Sequence, residues 1–139
     1  MYKNKTVLIT GGSGFIGANL ARALFRQNNV HLLVRPKSDL WRIKDIKEQV
    51  SIHKSEMLDL GQLTKIVRSV SPQVIYHLAS YGNSSFQTDP KTILETNIVG
   101  TANLLVALQD IDFECFVNTG SSSEYGFKSQ PMKESDLLE

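Results

Sequence analysis

The sequence predicts an α/β fold, a doubly wound parallel sheet in one domain of 139 residues. Three observations carry that expectation. Short β-branched apolar runs alternate along the chain with amphipathic stretches of helical period. A glycine-rich turn, Gly11 to Gly17, joins the first such run to the first helical stretch. The chain is 41% hydrophobic and 21% charged, ordinary globular values that argue against disorder.

The first run, Thr6-Val7-Leu8-Ile9-Thr10, reads as a buried strand closed by Gly11-Gly12. From Gly14 to about Arg26, Ile16, Leu20, Ala23 and Leu24 recur at helical spacing, and Asn28-Asn29 ends that helix. Val30 to Val34 is a second strand, stopped by Pro36. Ser38-Asp39 caps a short helix through about Lys47, and Val50 to His53 is a third strand. Asp59 caps a helix to about Val70, with Leu60, Leu63, Ile66, Val67 and Val70 on one apolar face. Gln73 to His77 is a fourth strand. Asp89-Pro90 opens a long helix to about Asp110, with Pro where its missing N–H costs nothing. It carries Ile93, Ile98, Leu104, Leu105 and Leu108. Phe113 to Asn118 is a fifth strand, and Gly120 to Glu139 reads as a loop.

Strands joined by crossover helices pair in parallel, with helices on both faces. The doubly wound order is 3-2-1-4-5, the Rossmann arrangement. A ligand is then expected beyond the carboxyl ends of strands 1 and 4.

Charge and cysteine usage exclude several functions. Fifteen Lys and Arg against fourteen Asp and Glu leave a formal charge of +1, which argues against a nucleic-acid binder. No apolar run approaches the roughly 20 residues that cross a bilayer. One cysteine, Cys115, forms no intramolecular disulfide and no Cys-cluster metal site, and no metal is expected. It lies in a strand pattern and reads as a buried structural thiol. A cytoplasmic location is the expectation.

Chemistry concentrates in Gly11-Gly12-Ser13-Gly14-Phe15-Ile16-Gly17. Gly11 allows a tight turn, Gly14 lets the backbone approach a pyrophosphate, and Gly17 lets the helix pack closely on the sheet. The first helical amides then face the phosphates. The spacing is G-x-x-G-x-x-G. At the end of strand 2 stands Arg35, where an acidic residue would grip a ribose 2′-hydroxyl. Its guanidinium suits a 2′-phosphate, so the residue type tilts toward NADP over NAD.

The Thr10–Gly17 stretch resembles the signature of the extended short-chain dehydrogenase/reductase superfamily, the NAD-dependent epimerase/dehydratase family. Four later stretches agree in order: Asp59-Leu60, His77-Leu78-Ala79-Ser80, Asn97-Ile98-Val99-Gly100-Thr101, and the strand-5 ending from Phe116 to Tyr125-Gly126. The resemblance covers the whole chain. It implies that Asp59 accepts the adenine amino group while also able to cap its helix, and that Leu60 lines the adenine pocket. Leu78, Ala79 and Ser80 pass beneath the ribose and nicotinamide, with Thr119 also at the cofactor. Asn97 touches the cofactor region or braces strand 4. His77 is a core histidine. Ser121 aligns with the catalytic Ser/Thr, with Ser122 and Ser123 as close rivals.

The resemblance also implies a catalytic Y-x-x-x-K downstream. Here Tyr2, Tyr76, Tyr81 and Tyr125 are followed at that spacing by Thr6, Ser80, Ser85 and Ser129. The chain is therefore expected to be an NAD(P)-binding domain, residues 1–139, ending before the sixth strand and the substrate domain. The intact relative would act on a nucleotide-linked sugar by epimerisation, dehydration or 4-keto reduction. The expected partners are the dinucleotide, that sugar nucleotide, a C-terminal half chain and a second copy, with no nucleic acid or membrane. The alternatives are a stand-alone dinucleotide-binding module without catalysis, or a non-functional fragment.

Overall fold

The structure is a computed structural model that describes residues 2–82 and 84–138. Five strands are present: β1 (Thr6–Thr10), β2 (Asn29–Val34), β3 (Ser51–Lys54), β4 (Val74–His77) and β5 (Cys115–Asn118). They form one sheet in the order β3-β2-β1-β4-β5, every pairing parallel. The predicted topology is the observed one. Strand boundaries move by one or two residues. Gln73, for example, lies just before β4, although its amide already donates to the Thr6 carbonyl at 2.9 Å.

The helices are α1 (Phe15–Leu24), α2 (Leu60–Val70), α3 (Pro90–Leu94) and α4 (Gly100–Leu108). Side chains alternate across the strands and so build two cores. Val7, Ile9, Val30 and Leu32 pack against Ala18, Ala21 and Leu24 of α1. On the other face, Leu8, Leu33 and Ile75 pack against Leu63 and Val67 of α2 and Leu104 and Leu108 of α4. Asp59 caps α2 by accepting the Gln62 amide at 2.9 Å, and Asp89 caps α3 through the Thr92 amide at 2.9 Å.

Five expectations are corrected. The buried face of α1 is Gly17, Ala18, Ala21 and Leu24. Ile16 and Ala23 face outward, because a Cβ on Gly17 would come within 2.4 Å of the Gly11 carbonyl oxygen. The helix therefore turns its bare face to the sheet. The segment after β2 is no helix to Lys47 but a short 3₁₀ turn, Trp41–Ile43. Arg22 of α1 pins this segment through both Asp45 carboxylate oxygens and the Arg42 carbonyl. The long helix is interrupted by a π-helical turn, Glu95–Val99, between α3 and α4. Its Ile98 and Leu105 are exposed rather than core, as are Leu94, Val99 and Val106. The last loop contains a 3₁₀ turn, Ser122–Tyr125. Cys115 is half-buried rather than fully buried.

Candidate functional site

A cleft of about 700 Å³ opens at the carboxyl ends of β1, β2, β4 and β5. One side of it is the glycine turn. Gly11 has φ +68°, and a Cβ there would lie 2.9 Å from the Leu78 carbonyl and the Ala79 nitrogen. The turn therefore sits directly on the exit of β4. The Gly14 amide donates to the Gly11 carbonyl at 2.9 Å, folding the turn so that α1 begins at Phe15. No side chain caps α1 and no acidic residue occupies its first turn. The positive end of the helix thus opens into the cleft without a competing anion.

Most of the expected contacts converge here. Gly11, Ser13, Gly14, Phe15, Ile16 and Gly17 form one wall. Arg35 stands at the end of β2, and Leu78, Ala79 and Ser80 at the end of β4. Thr119 follows β5 and is held by its hydroxyl, which donates to the His77 carbonyl at 2.8 Å. Ion pairs among the described residues engage Lys5, Arg22, Arg68 and Lys91, so the Arg35 guanidinium carries its charge unpaired at the rim.

Four expected residues lie outside the lining. The Asp59 carboxylate is spent on the α2 cap, and Leu60 begins that helix on the exposed surface. Asn97 turns away: its amide accepts the Tyr81 N–H at 2.9 Å and donates to the Tyr81 carbonyl at 2.8 Å. It braces the segment after β4. The Ser121 hydroxyl accepts the Ser123 amide at 3.1 Å, and the Ser121 amide donates to Glu124 at 2.9 Å, a reciprocal cap.

The acidic–apolar pair that does line the cleft after β3 is Glu56-Met57, three residues before Asp59-Leu60. In the sequence both pairs follow the third strand, and the resemblance to the family's acidic–apolar pair fits Asp59-Leu60 as well. The proximity of Glu56 to the strand end was the available clue. Thr92, Glu95 and Thr96, from α3 and the π turn, form the opposite wall and were also missed.

His77, expected as a core histidine, is 3% exposed beneath the cleft. Its ring bonds Thr10 at 2.7 Å and Thr101 at 2.9 Å. Burial pushes its pKa below the ordinary 6.5. No group of three or more His, Cys, Asp or Glu side chains able to hold a metal ion occurs among the described residues.

The site residues fit a dinucleotide. The Gly11 and Gly17 cradle would be filled by a Cβ, and the cleft runs from the α1 N-terminus past Arg35 on one side and Leu78 on the other.

Comparison with known proteins agrees with this geometry. A model described as the NAD dependent epimerase/dehydratase family matches residues 7–139. Protein CapI of Staphylococcus aureus is 30% identical over 96% of this chain and 43% of its own length. The epimerase Mth375 of Methanothermobacter thermautotrophicus superposes with a TM-score of 0.83 at 31% identity, over 98% of this chain and 41% of its own. UDP-glucuronic acid 4-epimerase of Bacillus cereus, solved with UDP-glucuronic acid and NAD, gives 0.75 at 27% identity, over 95% of this chain and 45% of its own. The chain thus spans less than half the length of these relatives.

Proposed function

The chain belongs to the NAD dependent epimerase/dehydratase family, and on that premise we propose that residues 1–139 form the nicotinamide-dinucleotide-binding domain of an enzyme acting on a nucleotide-linked sugar. The single observation that carries this reading is the turn from Gly11 to Gly17, without a Cβ at Gly11 and Gly17 where one would strike backbone, leading into the uncapped start of α1. The pyrophosphate would lie on the first amides of α1, against Ser13 and Gly14. Glu56 takes the role expected of Asp59, accepting the adenine amino group, with Met57 beside the ring. Arg35 faces the ribose 2′ position and favours a phosphate there, so NADP is preferred to NAD. Leu78, Ala79 and Ser80 give the nicotinamide an unobstructed floor.

When bound, the nicotinamide supplies hydride acceptance and return at a sugar carbon. The Ser121 hydroxyl, which follows the cleft residues Thr119 and Gly120, would donate its own hydrogen to the sugar oxygen while still accepting the Ser123 amide. No tyrosine in the sequence is followed four positions later by lysine. In such an enzyme the proton-transferring pair would be supplied by residues other than these 139, in a longer chain or a complementary half. The exposed stripe of Leu94, Ile98 and Leu105 offers a face for such a neighbour or for a second copy.

Calorimetric titration of the folded chain with NADP+, NADPH, NAD+ and NADH tests the reading. One dinucleotide binds per chain, the phosphorylated pair more tightly, and Arg35→Ala removes that difference. A folded chain that binds none of the four overturns it.

A further inference from the structure

We propose that Thr10, His77 and Thr101 form a one-directional hydrogen-bond chain that holds the Leu78–Ala79 backbone against Gly11, making neutral His77 a positioning residue for dinucleotide binding. This role rests on the dinucleotide reading of the cleft given above.

Both ends of the chain assign the same direction. The Thr10 hydroxyl oxygen accepts the Leu78 and Ala79 amides, each at 3.1 Å. A hydroxyl has two lone pairs and one hydrogen. With both lone pairs occupied, the Thr10 hydrogen must go to His77 Nδ1, 2.7 Å away. Nδ1 is therefore bare and Nε2 carries the proton. At the other end the Thr101 hydroxyl donates to the Asn97 carbonyl at 2.7 Å, so it can only accept from Nε2–H, at 2.9 Å. The chain begins in β1, crosses the sheet at β4 and ends in the π turn. It shares that turn with the Asn97 side chain, which braces Tyr81.

Of the two amides held by Thr10, that of Ala79 belongs to the peptide group that a Cβ on Gly11 would strike at 2.9 Å, and that of Leu78 to the peptide just before it. Their height sets how deeply the phosphate turn is seated. A second proton on His77 would place Nδ1–H against the Thr10 oxygen. The Thr10 hydrogen would lose its acceptor, and one of the two amide bonds would have to open. The groups facing the ring are Thr10 from β1, Thr101 from α4 and the Phe116 ring from β5, 6.1 Å away. None of them titrates near neutrality, and burial alone accounts for the lowered basicity of the imidazole.

The test uses the ligand-free chain and then NAD+, which carries no 2′-phosphate to titrate. Imidazole ¹⁵N shifts at neutral pH should show Nδ1 bare and Nε2 protonated. Lowering the pH from about 8 to about 5 should move the Gly11, Leu78 and Ala79 amides with the midpoint of His77, not with those of His31 or His53. The Kd for NAD+ should weaken about tenfold, the loss of one hydrogen bond, over the same midpoint. His77→Asn offers Thr10 an amide oxygen and gains no proton, so its affinity should stay flat across that range. Thr10→Val should weaken binding and Thr10→Ser restore it. An Nδ1–H tautomer at neutral pH, unmoved amides, or measurable binding that ignores the His77 midpoint overturns the proposal, and the wild-type readings decide it if a variant does not fold. Coupled amides in a chain that never binds NAD+ support the hydrogen-bond chain and overturn the dinucleotide reading instead.

Discussion

Glu56 and Asp59 lie three positions apart and do different work. Glu56 lines the cleft, whereas the Asp59 carboxylate holds the Gln62 amide at 2.9 Å. Removing a helix cap costs about 1 kcal/mol. Asp59→Ala should therefore lower the melting temperature by a few degrees and leave dinucleotide affinity unchanged. Glu56→Ala should do the reverse: about a tenfold loss of affinity, the worth of one hydrogen bond to a charged group, with an unchanged melt. Calorimetry and thermal denaturation on the two variants separate the roles, and swapped outcomes would return the adenine contact to Asp59. The sequence shows two acidic–apolar pairs after the third strand. Only the path of the chain between Ser55 and Leu60 tells which one faces the ligand. Gly17 is the opposite case, since its need for a bare backbone is readable from the turn spacing alone.

The helix after β4 shows what periodicity leaves out. Apolar spacing predicts one continuous helix, but the turn Glu95–Val99 is π-helical. One extra residue in a turn barely alters the apolar pattern, yet it re-aims the side chains on it. The Asn97 amide consequently points at Tyr81 and makes two hydrogen bonds with its backbone. Asn97→Ala should cost roughly 1–3 kcal/mol, as two net hydrogen bonds are lost. Amide exchange should accelerate at Tyr81 and Gly82 more than in α2. Uniform acceleration across the chain would contradict the local bracing role. The caps at Asp59 and Asp89 were legible because a cap depends on one residue and its near neighbours. The bulge depends on contacts made far away in sequence.

For the whole molecule, strand order and ligand position follow from the alternation of elements and the glycine turn. The pairing of histidines does not. His31 and His53 stack at 5.2 Å between β2 and β3, with Nδ1 to Nε2 at 2.9 Å. Burial lowers the basicity of all three histidines, and the neighbouring His53 lowers that of His31 further. Unfolded imidazoles titrate near 6.5, so below that value the unfolded chain holds more protons until the folded groups also titrate. The stability from these three sites is fully present above 6.5 and is lost as pH falls through their lower folded values. Melting temperature should be level above neutrality and fall below 6.5, measured in buffers of matched ionic strength. A melt that rises on mild acidification would contradict burial of the neutral rings.

The most direct test follows backbone amide resonances of the folded chain while NADPH is added. Binding should shift the amides from Ser13 to Gly17 first and most, together with those of Leu78 and Ala79, and Gly14→Val should abolish the shifts while the chain stays folded. Saturating NADPH that leaves the Ser13–Gly17 amides where they were would contradict the account.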